Sequence, residues 1–139
     1  MEIIVRYQAM QRALQTFEIG LVRFEKNEGL DAEDIILKRD GVIQRFEYCI
    51  DTFWKLLKIY FEFYNKFVVE VAAPRTILKL AFNHGLILEE EYKILLDALT
   101  DRNLTSHTYN EKIAVQIQSR TPLYYATLKK VVDRMNVSE

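Results

Sequence analysis

The run VIQRFEYCIDTFWKLLKIYFEFY, from Val42 to Tyr64, places Ile43, Phe46, Ile50, Phe53, Leu57, Tyr60 and Tyr64 at steps of three and four. Apolar residues at that period line one face of an α-helix. Val42, Cys49, Trp54, Phe61 and, just beyond, Phe67 widen the stripe, so this helix meets neighbours on two sides. Extended to its natural limits, the pattern predicts a helix from about Asp34 to Lys66, started by Asp31 or Asp34 as N-cap. A helix of that length with two buried faces sets the fold class as all-α.

The flanking segments agree. Ile3, Tyr7, Met10, Leu14, Phe17, Leu21 and Phe24 mark a first amphipathic helix over about 2–26, closed by Asn27-Glu28-Gly29 with Gly29 at the left-handed cap position. The β-branched run Phe67 to Val71 reads as the long helix giving way to a loop. Pro74 opens a third helix at its first turn, where a missing N–H costs nothing, and Asn83-His84-Gly85 ends it with His84 as a cap or surface group. Glu89-Glu90-Glu91 gives a fourth helix an acidic start that complements its dipole. A last helix begins near Asn110 or Glu111 and is kinked or divided at Pro122, and the tail from Asn136 to Glu139 frays. The expected fold is a single domain over residues 1–139, a bundle of about five mostly antiparallel helices.

Composition narrows the functional classes. Four glycines and two prolines in 139 residues fit long helices, and 19 basic against 20 acidic side chains leave a net charge of −1. That balance argues against indiscriminate nucleic-acid binding while leaving room for a local basic patch. The lone Cys49 excludes an intramolecular disulfide framework, and its apolar surroundings make it an inert core thiol. With no signal peptide and no apolar run near the ~20 residues of a membrane span, the chain is expected to be cytoplasmic with no membrane attachment. A P-loop, a Rossmann glycine pattern, a nucleophile elbow and a paired-cysteine zinc motif are all absent, so no metal site is expected.

Reactive groups converge in one stretch, Asp101-Arg102-Asn103-Leu104-Thr105-Ser106-His107-Thr108-Tyr109-Asn110-Glu111. A strong cation, a group that titrates near neutral pH and a phenol lie within eight residues. On an ideal helix Arg102 and His107 point roughly 140° apart, whereas Arg102 and Tyr109 nearly share a face. Convergence requires the helix to loosen between Thr105 and Asn110, or a second copy of the chain to complete the site. Thr105, Ser106 and Thr108 favour loosening, because their hydroxyls compete for local backbone groups.

The string RNLTSHTYNE, with Arg-x4-His-x-Tyr at its heart, resembles the signature of the HEPN superfamily (higher eukaryote and prokaryote nucleotide-binding domains). It is most similar to the branch of small prokaryotic nucleotidyltransferase substrate-binding proteins, which partner minimal nucleotidyltransferases. Gln44-Arg45-Phe46-Glu47 and Trp54-Lys55 fit that branch as well. The resemblance implies a homodimer in which two motifs face each other, and a hetero-oligomer with a nucleotidyltransferase that carries the Mg²⁺–ATP, this chain holding no cofactor of its own. It implies Arg102 and His107 as a metal-independent ribonuclease pair and Asn103 as the polar residue after the arginine. Tyr109 becomes the acceptor of adenylyl groups that silence the toxin, and Arg39, Arg45 and Glu47 become neighbours of the site.

Three readings of the stretch stay open. As an enzyme, His107 is general base or acid towards an RNA 2′-hydroxyl and Arg102 stabilises phosphate charge in the transition state. As a binding subunit, the same groups hold a nucleotide substrate for the partner. As plain structure, Arg102 is a helix-end ion pair, His107 a cap and Tyr109 a core tyrosine with a wet hydroxyl. Trp54 is read as core rather than as a base-stacking platform.

Overall fold

Asp31 starts the helix around which everything else is arranged: its Oδ1 accepts the Asp34 N–H at 2.8 Å, and Glu33 and Asp34 add negative charge to the first turn. The computed structural model describes residues 1–26, 28–69 and 72–138. Within it lie α1 (Glu2–Glu25), α2 (Ala32–Tyr64), α3 (Pro74–Asn83), α4 (Glu89–Leu104), a short 3-10 turn (Thr105–His107) and α5 (Glu111–Arg134). At 33 residues α2 is the longest, and it packs against all four other helices. It stops two residues before the predicted Lys66, because Lys66 turns left-handed at φ 58° and the Phe67 N–H returns to the Phe61 carbonyl. Asn27, Glu70, Val71 and Glu139, included in the predicted turn, loop and tail, lie outside the described residues.

Side-chain pairs fix the direction of each helix. Lys38 donates to the Arg23 carbonyl and Arg45 to that of Thr16, so α1 and α2 run antiparallel. Arg134 meets Glu91 while Arg120 meets Asp101, which makes α4 and α5 antiparallel too. Arg39 faces Glu111, Phe46 stacks on Tyr124, and Tyr64 reaches Ser138, so α2 and α5 run parallel, as diagonal members of an up-and-down bundle do. Phe17, Phe46, Tyr124 and Tyr125 form the aromatic centre, with ring centroids 5.3–6.3 Å apart. Cys49 lies fully buried beside them, and burial pushes its thiol up to about 12. No helix among the described residues is long and apolar enough to cross a membrane.

Glycine ends α3 as predicted. Gly85 takes φ 80°, its N–H reaching the Phe82 carbonyl and the Leu86 N–H that of Ala81, a Schellman closure. His84 caps the same end through Nδ1 and the Leu80 carbonyl at 2.9 Å. Of the two outcomes expected at Pro122, a kink or a division, division does not occur: α5 is continuous from Glu111 to Arg134 with the proline inside it. Proline supplies no N–H to the Gln118 carbonyl, and the neighbouring Thr121 hydroxyl donates to that oxygen instead, at 2.6 Å. The helix ends at Arg134, so residues 136–138 lie outside it as expected, and the Ser138 N–H donates to the Tyr64 hydroxyl at 3.1 Å.

Arg134 donates from both terminal nitrogens to Glu91, at 2.7 and 2.9 Å, pinning the end of α5 to the start of α4. These bonds, with one from the Leu88 N–H, hold the Glu91 carboxyl below its ordinary value of 4.5, against the opposing effect of burial. A depressed carboxylate contributes stability that is fully present above the unfolded value and is lost as pH falls through the folded one. Glu91→Gln should therefore be less stable than wild type at pH 7, with the gap closing as the pH drops below about 4.5. Denaturant titrations at pH 7 and pH 3.5 check this, and a gap that does not narrow contradicts it.

Candidate functional site

The end of α4 carries the site because two neighbouring residues anchor it from opposite sides. Asp101 turns inward, where Oδ2 accepts from Arg120 Nε at 2.7 Å and from the Tyr124 hydroxyl at 2.5 Å, and Oδ1 accepts from Arg120 Nη2 at 2.8 Å. Arg102 turns towards α2, where Glu47 and Asp51 sit one helical turn apart. Its Nε reaches both Asp51 oxygens at 3.1 and 3.2 Å, Nη2 reaches Asp51 Oδ2 at 2.9 Å, and Nη1 reaches Glu47 Oε2 at 2.8 Å and the Thr105 hydroxyl at 3.0 Å. The Asp51 hydrogen bonds, joined by the charge of both carboxylates, raise the guanidinium above its ordinary value, so it stays charged. Of five guanidinium N–H groups, four are engaged among the described residues, which leaves one on Nη2.

Beyond Arg102 the helix loosens where its hydroxyls predict. Thr105, Ser106 and Thr108 each donate to the carbonyl three residues back, those of Arg102, Asn103 and Thr105. The backbone tightens into the 3-10 turn, then Asn110 starts α5 by accepting the Ile113 N–H on Oδ1 at 3.3 Å. His107 and Tyr109 ride on this turn, both exposed, their rings 6.1 Å apart edge to face. Tyr109 is 86 % exposed, so it is not a core tyrosine.

The loosened turn does not bring Arg102 and His107 together within one chain. Arg102 points back to α2, and no hydrogen bond among the described residues joins His107 to Arg102 or its carboxylates. Glu47 is a direct partner of Arg102. Asn103 lines a cleft beside it. Arg39 is buried on α2, with Nη1 3.8 Å from Glu111 and Nε unpartnered among the described residues. Arg45 lies elsewhere: it bonds the Thr16 carbonyl at 2.7 Å and packs on Gly20 of α1. Helical geometry explains the difference, since Arg45 precedes Glu47 by two residues and points roughly 200° away from it.

Sequence reasoning passed over Asp51, although Glu47-x3-Asp51 is the i, i+4 spacing that sets two carboxylates side by side. It also passed over Asp101, Arg120 and Tyr124. The cleft beside Arg102, about 600 Å³, is bounded by Asp51, Trp54 and Lys55 of α2, Pro74 and Arg75 of α3, and Leu99, Arg102, Asn103 and Ser106. Trp54 is partly buried against the core and also lines this cleft. Among the described residues no group of three histidine, cysteine or carboxylate side chains is placed to hold a metal ion.

Comparison with known proteins bears on the family and the fold. The family model "Nucleotidyltransferase substrate binding protein like" matches residues 5–137. A protein of Thermus thermophilus of known structure is 35% identical, covering 85% of this chain and 97% of that one, with a TM-score of 0.68. A tri-AMPylated HEPN toxin of Shewanella oneidensis, solved in complex with the MNT antitoxin, shares the fold at 16% identity and a TM-score of 0.67, over 95% of this chain and 94% of that one. No curated protein matches. With a family match that spans almost its whole length, the chain belongs to the nucleotidyltransferase substrate-binding protein-like family, and its five helices share the fold of the HEPN toxin.

Proposed function

We propose that this chain is the HEPN-type partner of a minimal nucleotidyltransferase, that the partner adenylylates Tyr109, and that the unmodified protein is a metal-independent ribonuclease. The observation that carries the reading is the exposure of Tyr109 on a turn whose histidine ring is 6.1 Å from its own. An acceptor phenol has to enter another enzyme's active site, and Tyr109 can do so without any rearrangement of the bundle. In the transfer the Tyr109 oxygen attacks the α-phosphorus of ATP on the partner. The bond to the β-phosphate breaks, pyrophosphate leaves with Mg²⁺, and the phenol proton is lost to the partner's base or to water. The AMP placed there adds negative charge and a bulky base beside His107, which blocks RNA.

In the cleavage step His107 accepts the proton of an RNA 2′-hydroxyl, whose oxygen attacks the adjacent phosphorus. The bond to the 5′-oxygen breaks, that oxygen takes one proton from the acid, and a 2′,3′-cyclic phosphate and a free 5′-hydroxyl result. Two copies of the turn facing each other in a homodimer supply the second histidine as the acid. They also set Arg102 of one copy near His107 of the other. RNA brings its own nucleophile, so the reaction needs no protein serine and no metal.

One feature favours the third reading, in which Arg102 is a helix-end ion pair. Arg102 lies between two carboxylates, and the group of three carries a net negative charge, which weakens its pull on a phosphate. The test mixes the chain with its nucleotidyltransferase and Mg²⁺–ATP, with intact mass and light scattering as readouts. Expected are a stable hetero-complex built on a homodimer and mass gains in steps of AMP, lost in Tyr109→Phe. A wild type that gains no mass, leaves RNA intact with chelator present and stays monomeric at tens of micromolar removes all three parts of the proposal.

A further inference from the structure

The cleft beside Arg102 is built from three segments far apart in sequence, and its chemistry is unlike that of the chain as a whole. Its lining holds Lys55, Arg75 and Arg102 with Asp51, and since Arg102 is already paired with Asp51 and Glu47, Lys55 and Arg75 supply the cleft's uncompensated charge in a protein whose net charge is −1. Neither Lys55 nor Arg75 takes part in an ion pair among the described residues. Arg75 Nη2 donates to the Thr100 hydroxyl at 2.9 Å, a neutral partner that leaves its charge uncompensated. The Trp54 indole forms a wall, and the Lys55 ammonium stands 5.9 Å from the ring centroid, within cation–π reach. Leu99 and Pro74 contribute apolar surface, while Asn103 and Ser106, which lead along the chain to His107, add an amide and a hydroxyl to the lining. A volume of about 600 Å³ falls within the range of small-molecule sites.

An aromatic wall, apolar contacts, amide and hydroxyl groups and an excess of fixed cations are together complementary to one ligand chemistry, an unpaired nucleobase carrying its phosphate. A purely anionic ligand would have no use for the indole, and an apolar one would leave Lys55 and Arg75 without a counter-charge. We infer that the Trp54 cleft is a nucleoside-monophosphate subsite, with the base against the Trp54 indole, the phosphate drawn to Arg75 and Lys55, and Asn103 and Ser106 adding hydrogen bonds. The subsite is continuous with the proposed cleavage site through Arg102 and the Asn103–Ser106 segment. It rests on the reading above for naming an RNA strand as the source, while a free mononucleotide satisfies the same contacts. An RNA source makes the cleft the seat of the nucleotide next to the cleaved bond, and gives an acidic protein the local basic surface that strand binding requires.

Trp54 is the chain's single tryptophan, so its fluorescence reports on the site directly. The full-length protein is titrated, in chelator, with AMP and with a 2′-O-methylated adenylate hexamer that cannot be cleaved. Saturable quenching is expected, and it is the inference's first requirement. Equal affinity for AMP and hexamer identifies a mononucleotide site, and a clear preference for the hexamer identifies a strand site. Arg75→Ala, on an exposed side chain, should weaken hexamer binding several-fold and flatten its salt dependence. Trp54→Leu should weaken binding of a labelled hexamer, followed by anisotropy, by about tenfold or more. Absence of quenching by millimolar AMP and by the hexamer, with unchanged hexamer affinity in Arg75→Ala, overturns the inference even if Trp54→Leu does not fold. Failure here leaves Tyr109 adenylylation standing, because that is read by mass with partner and ATP, whereas failure of adenylylation leaves the fluorescence result intact.

Discussion

His107→Ala should lower the rate of RNA cleavage by about a hundredfold or more, with melting temperature unchanged, because the imidazole is exposed on a turn and removing it opens no cavity. The comparison with Arg102→Ala is informative because the two residues are held so differently. Arg102 is hydrogen-bonded to Glu47, Asp51 and Thr105, so its loss leaves two carboxylates side by side on α2 without their counter-charge. That variant should lose activity to a similar degree and also about 1–2 kcal/mol of stability, a modest figure because all three groups are about a third exposed. A chelator-containing cleavage assay run beside thermal melts separates the two effects. Equal losses of stability in both variants, with cleavage untouched, would make the turn a structural element only.

Asp101→Ala should be among the most damaging substitutions for stability. Only 6 % of the Asp101 side chain is exposed, and it accepts two hydrogen bonds from Arg120 and one from Tyr124. Its removal leaves the Tyr124 hydroxyl buried without a partner, while the half-exposed Arg120 can turn to water. The expected cost is about 3 kcal/mol, and the melting temperature should fall by about 10 °C. Adding Tyr124→Phe should restore part of the loss, since the orphaned hydroxyl is then gone as well. Circular dichroism melts of the single and double variants measure both quantities. A single variant that melts within about 2 °C of wild type would refute the account of this cluster.

The elements legible in the sequence are those that depend on local periodicity and caps. The Ile43–Tyr64 stripe, Asp31, Pro74 and Gly85 each act over a few residues, and each does in the fold what its chemistry implies, whereas Gly29 is left-handed but stands three residues beyond the α1 cap at Lys26. The hydroxyl-rich loosening after Leu104 was legible for the same reason. Features that depend on which side chain meets which were not. Nothing near Pro122 announces that the Thr121 hydroxyl will take up the vacant Gln118 carbonyl, because that depends on a single rotamer. Arg75 looks like any surface arginine until α3 is docked, and only then does it share a cleft with Trp54 and Arg102. Arg45 shows the opposite failing: its place in a characteristic string suggested the site, while the helical angle already sent it towards α1.

Asp101 and Arg102 are neighbours of opposite charge bound to opposite sides, one to α5 and the other to α2. Any rotation of α4 about its own axis that tightens one attachment stretches the other, as paired stays hold a mast. Sliding along the axis is resisted as well, because both attachments are forked. The last turn of α4 therefore behaves as a mechanical ground, and the segment from Thr105 to Tyr109 hangs from it as a short bracket, its hydroxyls bonded back to the carbonyls of Arg102, Asn103 and Thr105. Whatever is attached to Tyr109 or pressed against His107 transmits its load to that bracket and leaves the five-helix core undeformed.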